Sequence, residues 1–118
     1  MSTVVLECAD AHDLADFYRG LLGWEVERAE EDWIKLGEPG GGTSLSFQTD
    51  ESYVRPTWPA RPGEQQMMLH LDFLVEDLSE AVAHALAAGA SLAEEQFQDD
   101  VRVLMDPAGH PFCLWVMT

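Results

Sequence analysis

The chain has 118 residues, of which 47% are hydrophobic, and it carries 22 acidic against 6 basic side chains for a formal net charge of −16. This length suffices for one domain with a hydrophobic core, and the composition is that of a globular protein. No apolar run approaches the roughly 20 residues that a membrane-spanning helix needs. The negative charge repels nucleic acids and anionic lipids, so we expect neither nucleic acid nor membrane as a partner.

The charge leaves two interpretations open: a surface that keeps the protein in solution, or a field that attracts cationic small molecules. The first residues do not form a basic segment followed by an apolar one, so we expect no signal peptide and a cytoplasmic location. Cys8 and Cys113 lie in apolar, strand-like segments. In a reducing compartment both are predicted to be free, buried thiols, and a Cys8–Cys113 disulfide is the alternative.

Residues 5–48 and 71–116 follow one plan: an apolar run ends in an acid, a helix ends in glycine, and strands surround a Gly- or Pro-containing turn. Such a repeat indicates a duplicated structural unit. In the first copy, Asp10 is the predicted N-cap of a helix that ends at Gly23. The strands predicted around this helix are 3–9, 24–28, 33–36 and 43–48.

Residues 49–66 contain three prolines and no periodicity, which predicts a linker, although Tyr53 and Trp58 within it indicate that it packs on something. In the second copy, Asp77 is the predicted N-cap of a helix that ends at Gly89. The strands predicted there are 67–75, 91–97, 101–105 and 112–117. We therefore predict a single α+β domain, 1–118, of two tandem βαβββ modules: about 1–48 and 67–118, joined by the linker 49–66.

Strand alternation predicts which side chains point away from the helices, because successive residues of a strand face opposite sides of the sheet. One face of each module should pack on its helix, and the other should line a shared cleft. The predicted lining is Thr3, Val5, Glu7, Ser46, Gln48, His70, Asp72, Cys113, Trp115 and Met117, with Trp58 of the linker placed to cover it. A dimer interface or plain core remains an alternative for this face.

Two segments make a family resemblance visible: Asp16-Phe17-Tyr18 with Leu21-Leu22-Gly23-Trp24, and the run from Met105 to Phe112, MDPAGHPF. The chain resembles the vicinal oxygen chelate superfamily of glyoxalase I, extradiol dioxygenases and bleomycin-resistance proteins. Trp58-Pro59 with the run 65–72 is similar to its actinobacterial single-domain glyoxalase-like subgroup. The resemblance implies a curved eight-stranded mixed sheet around a cleft, and a homodimer.

Enzymes of this superfamily take one metal ligand from each of four strands, and the resemblance places these positions at Thr3, Ser46, His70 and Cys113. Only His70 is a standard ligand, so we expect no metal cofactor. A divalent ion such as Zn, Ni, Fe or Mn remains the alternative, with zinc held by His70 and Cys113 and completed by Glu7 or Asp72.

The candidates for catalysis without a metal are His70, Asp72 and Glu7, since an imidazole beside carboxylates can act as a general acid or base. Cys113 beside His70 is a candidate nucleophile, and a packing cysteine is the alternative. Relatives in the bleomycin-resistance group are acidic, metal-free dimers that sequester a cationic drug.

We therefore expect a metal-independent protein that binds or sequesters an aromatic or cationic small molecule. The alternatives are a metal-dependent lyase, isomerase or dioxygenase with an atypical ligand set, and an inert partner-binding domain. The predicted ligand-binding residues are Thr3, Glu7, Ser46, Gln48, Trp58, His70, Asp72, Cys113 and Trp115.

Overall fold

The computed structural model describes residues 1–117 and has an α+β architecture. Within these residues, the elements in chain order are β1 (Thr3–Cys8), α1 (Ala11–Leu22), β2 (Glu25–Ala29), β3 (Trp33–Gly37), β4 (Ser44–Thr49), β5 (Leu71–Leu74), α2 (Leu78–Ala88), β6 (Ser91–Leu92), β7 (Val101–Met105) and β8 (Pro111–Trp115). The predicted class and the two tandem βαβββ modules are confirmed. Neither described helix is long and apolar enough to cross a membrane.

The chain forms two compact units, unit 1 (Met1–Val54) and unit 2, which begins at Arg55. The division therefore falls inside the predicted linker 49–66, so that the linker residues from Arg55 onward belong to unit 2. Among the described residues, hydrogen bonds join the strands as two four-stranded sheets, one in each unit, where the sequence predicted one eight-stranded sheet.

In unit 1 the strand order is β1-β4-β3-β2, with β1 parallel to β4 and the other pairs antiparallel. Helix α1 begins where the Asp10 side chain accepts hydrogen bonds from the His12 and Asp13 amides. It ends at Gly23, whose φ of 71° is the left-handed conformation that glycine adopts most easily. Tyr18 is fully buried and stacks on Phe47 of β4, which fixes the helix on the sheet.

In unit 2 the order is β5-β8-β7-β6, and β5 runs parallel to β8 with Asp72 opposite Cys113. The Asp77 side chain accepts a hydrogen bond from the Glu80 amide at the start of α2. Leu104, Phe112 and Leu114 are buried and form the centre of the sheet's packed face. The second module thus repeats the plan of the first.

Two predicted strands are wrong in length. The strand predicted at 67–75 begins only at Leu71, which pairs with Phe112; the preceding residue of β8 is Pro111, which has no N–H to donate. The strand predicted at 91–97 ends at Leu92. Beyond it, the Gln96 side chain forms the hydrogen bonds with the backbone of β7 that a continuing strand would form. Its amide nitrogen donates to the carbonyls of Ala93 and Val103, and its amide oxygen accepts from the Val103 N–H.

Candidate functional site

Unit 2 contains a pocket of about 170 Å³, hereafter the aromatic pocket. Its lining residues come from β7, β8 and the irregular segments before β5 and after β6: Trp58, Met67, His70, Phe97, Gln98, Val101, Val103, Pro111 and Cys113. An apolar cavity of about 150 Å³ is known to hold one benzene ring, so this volume suits a small aromatic group. A mainly apolar lining with a few polar groups is typical of ligand sites.

Two aromatic side chains dominate this lining. The ring centroids of Trp58 and Phe97 lie 5.9 Å apart with the planes at 76°, an edge-to-face contact. Phe97 is 69% exposed, which is unusual for a side chain of this size and hydrophobicity. Trp58 is half-buried, so the linker residue does pack, and it packs within unit 2. Together the two rings present apolar surface that a flat ligand could cover.

Two residues of the pocket lining, His70 and Cys113, form a cluster of potential metal ligands with the neighbouring Asp72, hereafter the donor cluster. Asp72 and Cys113 are direct neighbours across β5 and β8, and His70 precedes Asp72 by two residues. The His70 Nε2 and Asp72 Oδ1 atoms lie 3.2 Å apart. One potential ligand atom from each of the three residues lies within 4.8 Å of the others.

Burial raises the pKa of the Cys113 thiol to about 11, and the negative charge of Asp72 and a hydrogen bond to its carboxylate add to the effect. The thiol is therefore protonated at neutral pH in the metal-free protein. Because the thiolate is the nucleophilic form, this environment does not favour Cys113 as a catalytic nucleophile.

Several predicted site residues lie in unit 1. The Thr3 and Ser46 hydroxyl oxygens are 2.8 Å apart and hydrogen-bonded, and Ser46 is fully buried. Glu7 lies on β1 opposite Gln48 of β4 and is half-buried. Thr3 and Gln48 also line a second depression of about 750 Å³, hereafter the charged pocket.

Four of the charged side chains that line the charged pocket form two ion pairs with one another. Arg28 contacts Glu30 at 2.8 Å, and Lys35 contacts Glu27 at 3.2 Å. Such pairs at exposed or partly exposed positions are solvated and contribute little specific affinity for a ligand. The aromatic pocket of unit 2 is therefore the stronger candidate for a ligand site.

The predicted residues thus divide between the units. In unit 2, Trp58, His70 and Cys113 line one pocket, and Asp72 lies beside His70 and Cys113. Unit 1 holds Thr3, Glu7, Ser46 and Gln48. Trp115 is half-buried two residues beyond Cys113 on β8, opposite Val101 of β7, and it is not among the lining residues of the aromatic pocket. Ligand binding by all of these residues stays a prediction.

The prediction missed several lining residues of the aromatic pocket. Val103 pairs with Cys113, so alternation along β7 was a signal that could have placed Val101 and Val103 on the same face. Met67, Phe97 and Gln98 lie outside regular strands in the structure, so alternation carries no information about them. The remaining missed residue is Pro111, the first residue of β8.

The four superfamily metal positions can be tested against the side chains that occupy them. Thr3 and Ser46 offer neutral hydroxyls that are hydrogen-bonded to each other, and such hydroxyls are poor ligands for the divalent ions used in catalysis. His70 and Cys113 are competent donors. The complete four-position set therefore does not fit a metal site of the superfamily type.

The two βαβββ modules, with the motifs at residues 16–24 and 105–112 inside them, place the protein in the vicinal oxygen chelate superfamily, as the sequence resemblance implied. More narrowly, the chain belongs to the glyoxalase-like domain family, whose model matches residues 3–115. No curated protein matches the sequence.

Solved structures with this fold come from several bacteria. A glyoxalase/bleomycin resistance protein/dioxygenase family enzyme from Burkholderia phytofirmans PsJN has a TM-score of 0.77 at 19% identity, covering 99% of this chain and 98% of that one. A glyoxalase family protein from Enterococcus faecalis has a TM-score of 0.70 at 25% identity, covering 98% and 95%. TnmS3, an antibiotic binding protein from Streptomyces sp. CB03234, has a TM-score of 0.67 at 17% identity, covering 100% and 95%.

Proposed function

We propose that this protein binds a small aromatic molecule in the aromatic pocket, through contacts that need no metal. The observation that carries the proposal is the Trp58–Phe97 pair, which leaves a large aromatic surface exposed beside an apolar cavity. Covering such a surface with a ligand ring removes apolar area from water and adds ring-to-ring contacts.

We further propose that the ligand carries a cationic or N–H-bearing group. Asp72 does not line the pocket itself, but its carboxylate lies 3.2 Å from the imidazole of His70, which does. A group of the ligand that extends past His70 can therefore donate hydrogen bonds to this carboxylate. The net charge of −16 raises the local concentration of cations around the whole molecule. Both features disfavour an anionic aromatic compound of the same size.

The relatives supply support of a weaker kind. TnmS3 is described as an antibiotic binding protein, and other structures with this fold carry the bleomycin resistance name. At 17–19% identity they share the fold with this chain, and fold alone does not determine function. Binding or sequestration of an antibiotic is accordingly our proposal for this protein, and its ligand class rests on the pocket.

The experiment is a calorimetric titration in chelator with three matched probes: naphthylmethylammonium, naphthylmethanol and naphthoate. The ammonium should bind with a Kd below about 1 mM, which corresponds to a binding free energy of roughly −4 kcal/mol. The alcohol should bind more weakly than the ammonium, and the carboxylate should bind the most weakly of the three. Bleomycin is titrated in parallel as the antibiotic probe. If all four compounds bind more weakly than about 1 mM, the proposal is wrong.

Metal-dependent lyase, isomerase or dioxygenase chemistry at the four superfamily positions is not our proposal, because the hydroxyls of Thr3 and Ser46 replace two of the donors.

We retain the homodimer and the cytoplasmic location as proposals. Analytical ultracentrifugation over a range of concentrations measures the first; a constant monomer mass would contradict it.

A further inference from the structure

We propose that unit 2 by itself binds a borderline-soft divalent cation, with Zn²⁺ preferred, between the imidazole of His70, the carboxylate of Asp72 and the sulfur of Cys113. This donor cluster differs from the superfamily set, because Asp72 stands outside the four superfamily positions and no donor comes from unit 1. The proposal does not depend on the aromatic ligand proposed above.

The geometry of the cluster is close to that of a metal site. Zinc bonds of about 2.0–2.3 Å in a tetrahedral arrangement place neighbouring donors roughly 3.4–3.6 Å apart. His70 and Asp72 already approach to 3.2 Å, and all three ligand atoms lie within 4.8 Å. Rotations that move a side-chain end by about 1 Å would bring the sulfur into range.

The backbone holds two of the donors in place. Asp72 and Cys113 are paired directly across the parallel strands β5 and β8, and their neighbours Phe73 and Phe112 are in aromatic contact on the sheet. A site built on paired strands loses less conformational entropy on binding than one on loops. His70 stands just before β5, with 40% of its side chain exposed, so it can turn toward the ion.

The donor types select the ion. Sulfur, imidazole nitrogen and carboxylate oxygen together suit Zn²⁺, whereas Mg²⁺ and Ca²⁺ prefer sites made of oxygen alone. As the metal–sulfur bond forms, the Cys113 S–H bond breaks and its proton passes to solvent. Three protein donors leave a fourth position for water or a small molecule, and His70 and Cys113 also line the aromatic pocket.

The test uses tag-free full-length protein, stripped with chelator and titrated with Co²⁺ and then Zn²⁺. We expect one ion per chain, a sulfur-to-cobalt charge-transfer band, and loss of that band when Zn²⁺ displaces Co²⁺. Cys113→Ser should abolish the band, and Asp72→Asn and His70→Ala should each weaken Zn²⁺ binding about tenfold or more.

The matched controls are Cys8→Ala, Asp99→Asn and His84→Ala, which change the same residue types outside the donor cluster and should bind Co²⁺ like the wild type. Circular dichroism verifies that each variant is folded. Absence of the charge-transfer band in the wild type, its persistence in Cys113→Ser, or unchanged affinity in Asp72→Asn would overturn the proposal. Because the aromatic probes are titrated in chelator, these outcomes leave the ligand-binding result unaffected.

Discussion

At the scale of single residues, the feature that decides the chemistry of unit 2 is the pairing of Cys113 with Asp72. Burial, the charge of Asp72 and its hydrogen bond all raise the pKa of the thiol, to about 11. The same carboxylate lies 3.2 Å from the imidazole of His70. Asp72 thus favours a protonated, unreactive thiol in the metal-free protein, and it is the acceptor that we propose for the cationic group of a ligand.

This environment predicts the pH dependence of Cys113 alkylation in chelator. Since only the thiolate reacts, the rate should rise about tenfold per pH unit from about pH 8 and still be rising at about pH 10. Asp72→Asn removes the charge and should increase the rate at about pH 8, and Asp99→Asn should not. Mass spectrometry of the peptide containing Cys113 separates it from Cys8. A rate that levels off near the ordinary thiol pKa would contradict the assignment.

At the scale of elements, the turn between β7 and β8 fixes where Cys113 stands. Asp106 is fully buried, and its carboxylate accepts hydrogen bonds from the amides of Ala108 at 2.9 Å and His110 at 3.0 Å. Gly109 has a φ of 89°, and an added Cβ there would meet the Arg55 side chain. The turn is therefore held by hydrogen bonds to a buried carboxyl group and by a backbone conformation that suits glycine.

Replacing Asp106 with alanine should lower the free energy of unfolding by about 3 kcal/mol, because two amide N–H groups lose their acceptor. Asp106→Asn keeps an acceptor oxygen and should cost less. Urea denaturation followed by tryptophan fluorescence measures both, and Asp99→Ala is the exposed control. Equal losses for the alanine and asparagine variants would mean that the hydrogen bonds are not what the carboxylate contributes.

Helix α1 begins at the side-chain cap formed by Asp10, and this cap can be tested by mutation. The Asp10 side chain accepts from two amides, at 2.9 Å from His12 and 3.3 Å from Asp13. Asp10→Ala should therefore destabilise the protein by about 1 kcal/mol, and Asp10→Asn by much less. Thermal unfolding of the two variants side by side decides this; a neutral alanine variant would contradict a capping role.

The sequence predicted the ends of the helices better than the ends of the strands. The repeat, both N-caps and both terminal glycines were visible because local residue types determine them. The true ends of β5 and β6 were not, since they depend on Pro111 across the sheet and on the Gln96 side chain in place of the ladder. Alternation found the donor cluster, and it could not find Phe97, which lies outside a regular strand.

At the scale of the whole molecule, the charge of −16 is the dominant property. Among the described residues, Arg19 and Arg28 form ion pairs at exposed positions, and Lys35 forms one at a partly exposed position. Ion pairs at such positions contribute little to stability. The large excess of acids therefore leaves a net repulsion within the folded chain. The same negative charge attracts cations to the protein.

This repulsion predicts that salt stabilises the protein. Raising NaCl from about 10 mM to about 500 mM shortens the screening length several-fold, so the midpoint of thermal unfolding should rise by several degrees. KCl should act alike, which distinguishes screening from binding of a particular ion. A midpoint that falls or stays constant over this range would show that surface ion pairs outweigh the net repulsion.

If the aromatic pocket of unit 2 is the ligand site, an NMR titration with naphthylmethylammonium in chelator, observed at the backbone amides and the indole N–H groups, will locate the ligand there. We predict shifts concentrated at Trp58, Phe97 and Cys113, and affinity reduced about tenfold by Trp58→Ala and unchanged by Trp33→Ala. Shifts centred on Trp33 and the charged pocket, or affinity that survives Trp58→Ala, would contradict the account.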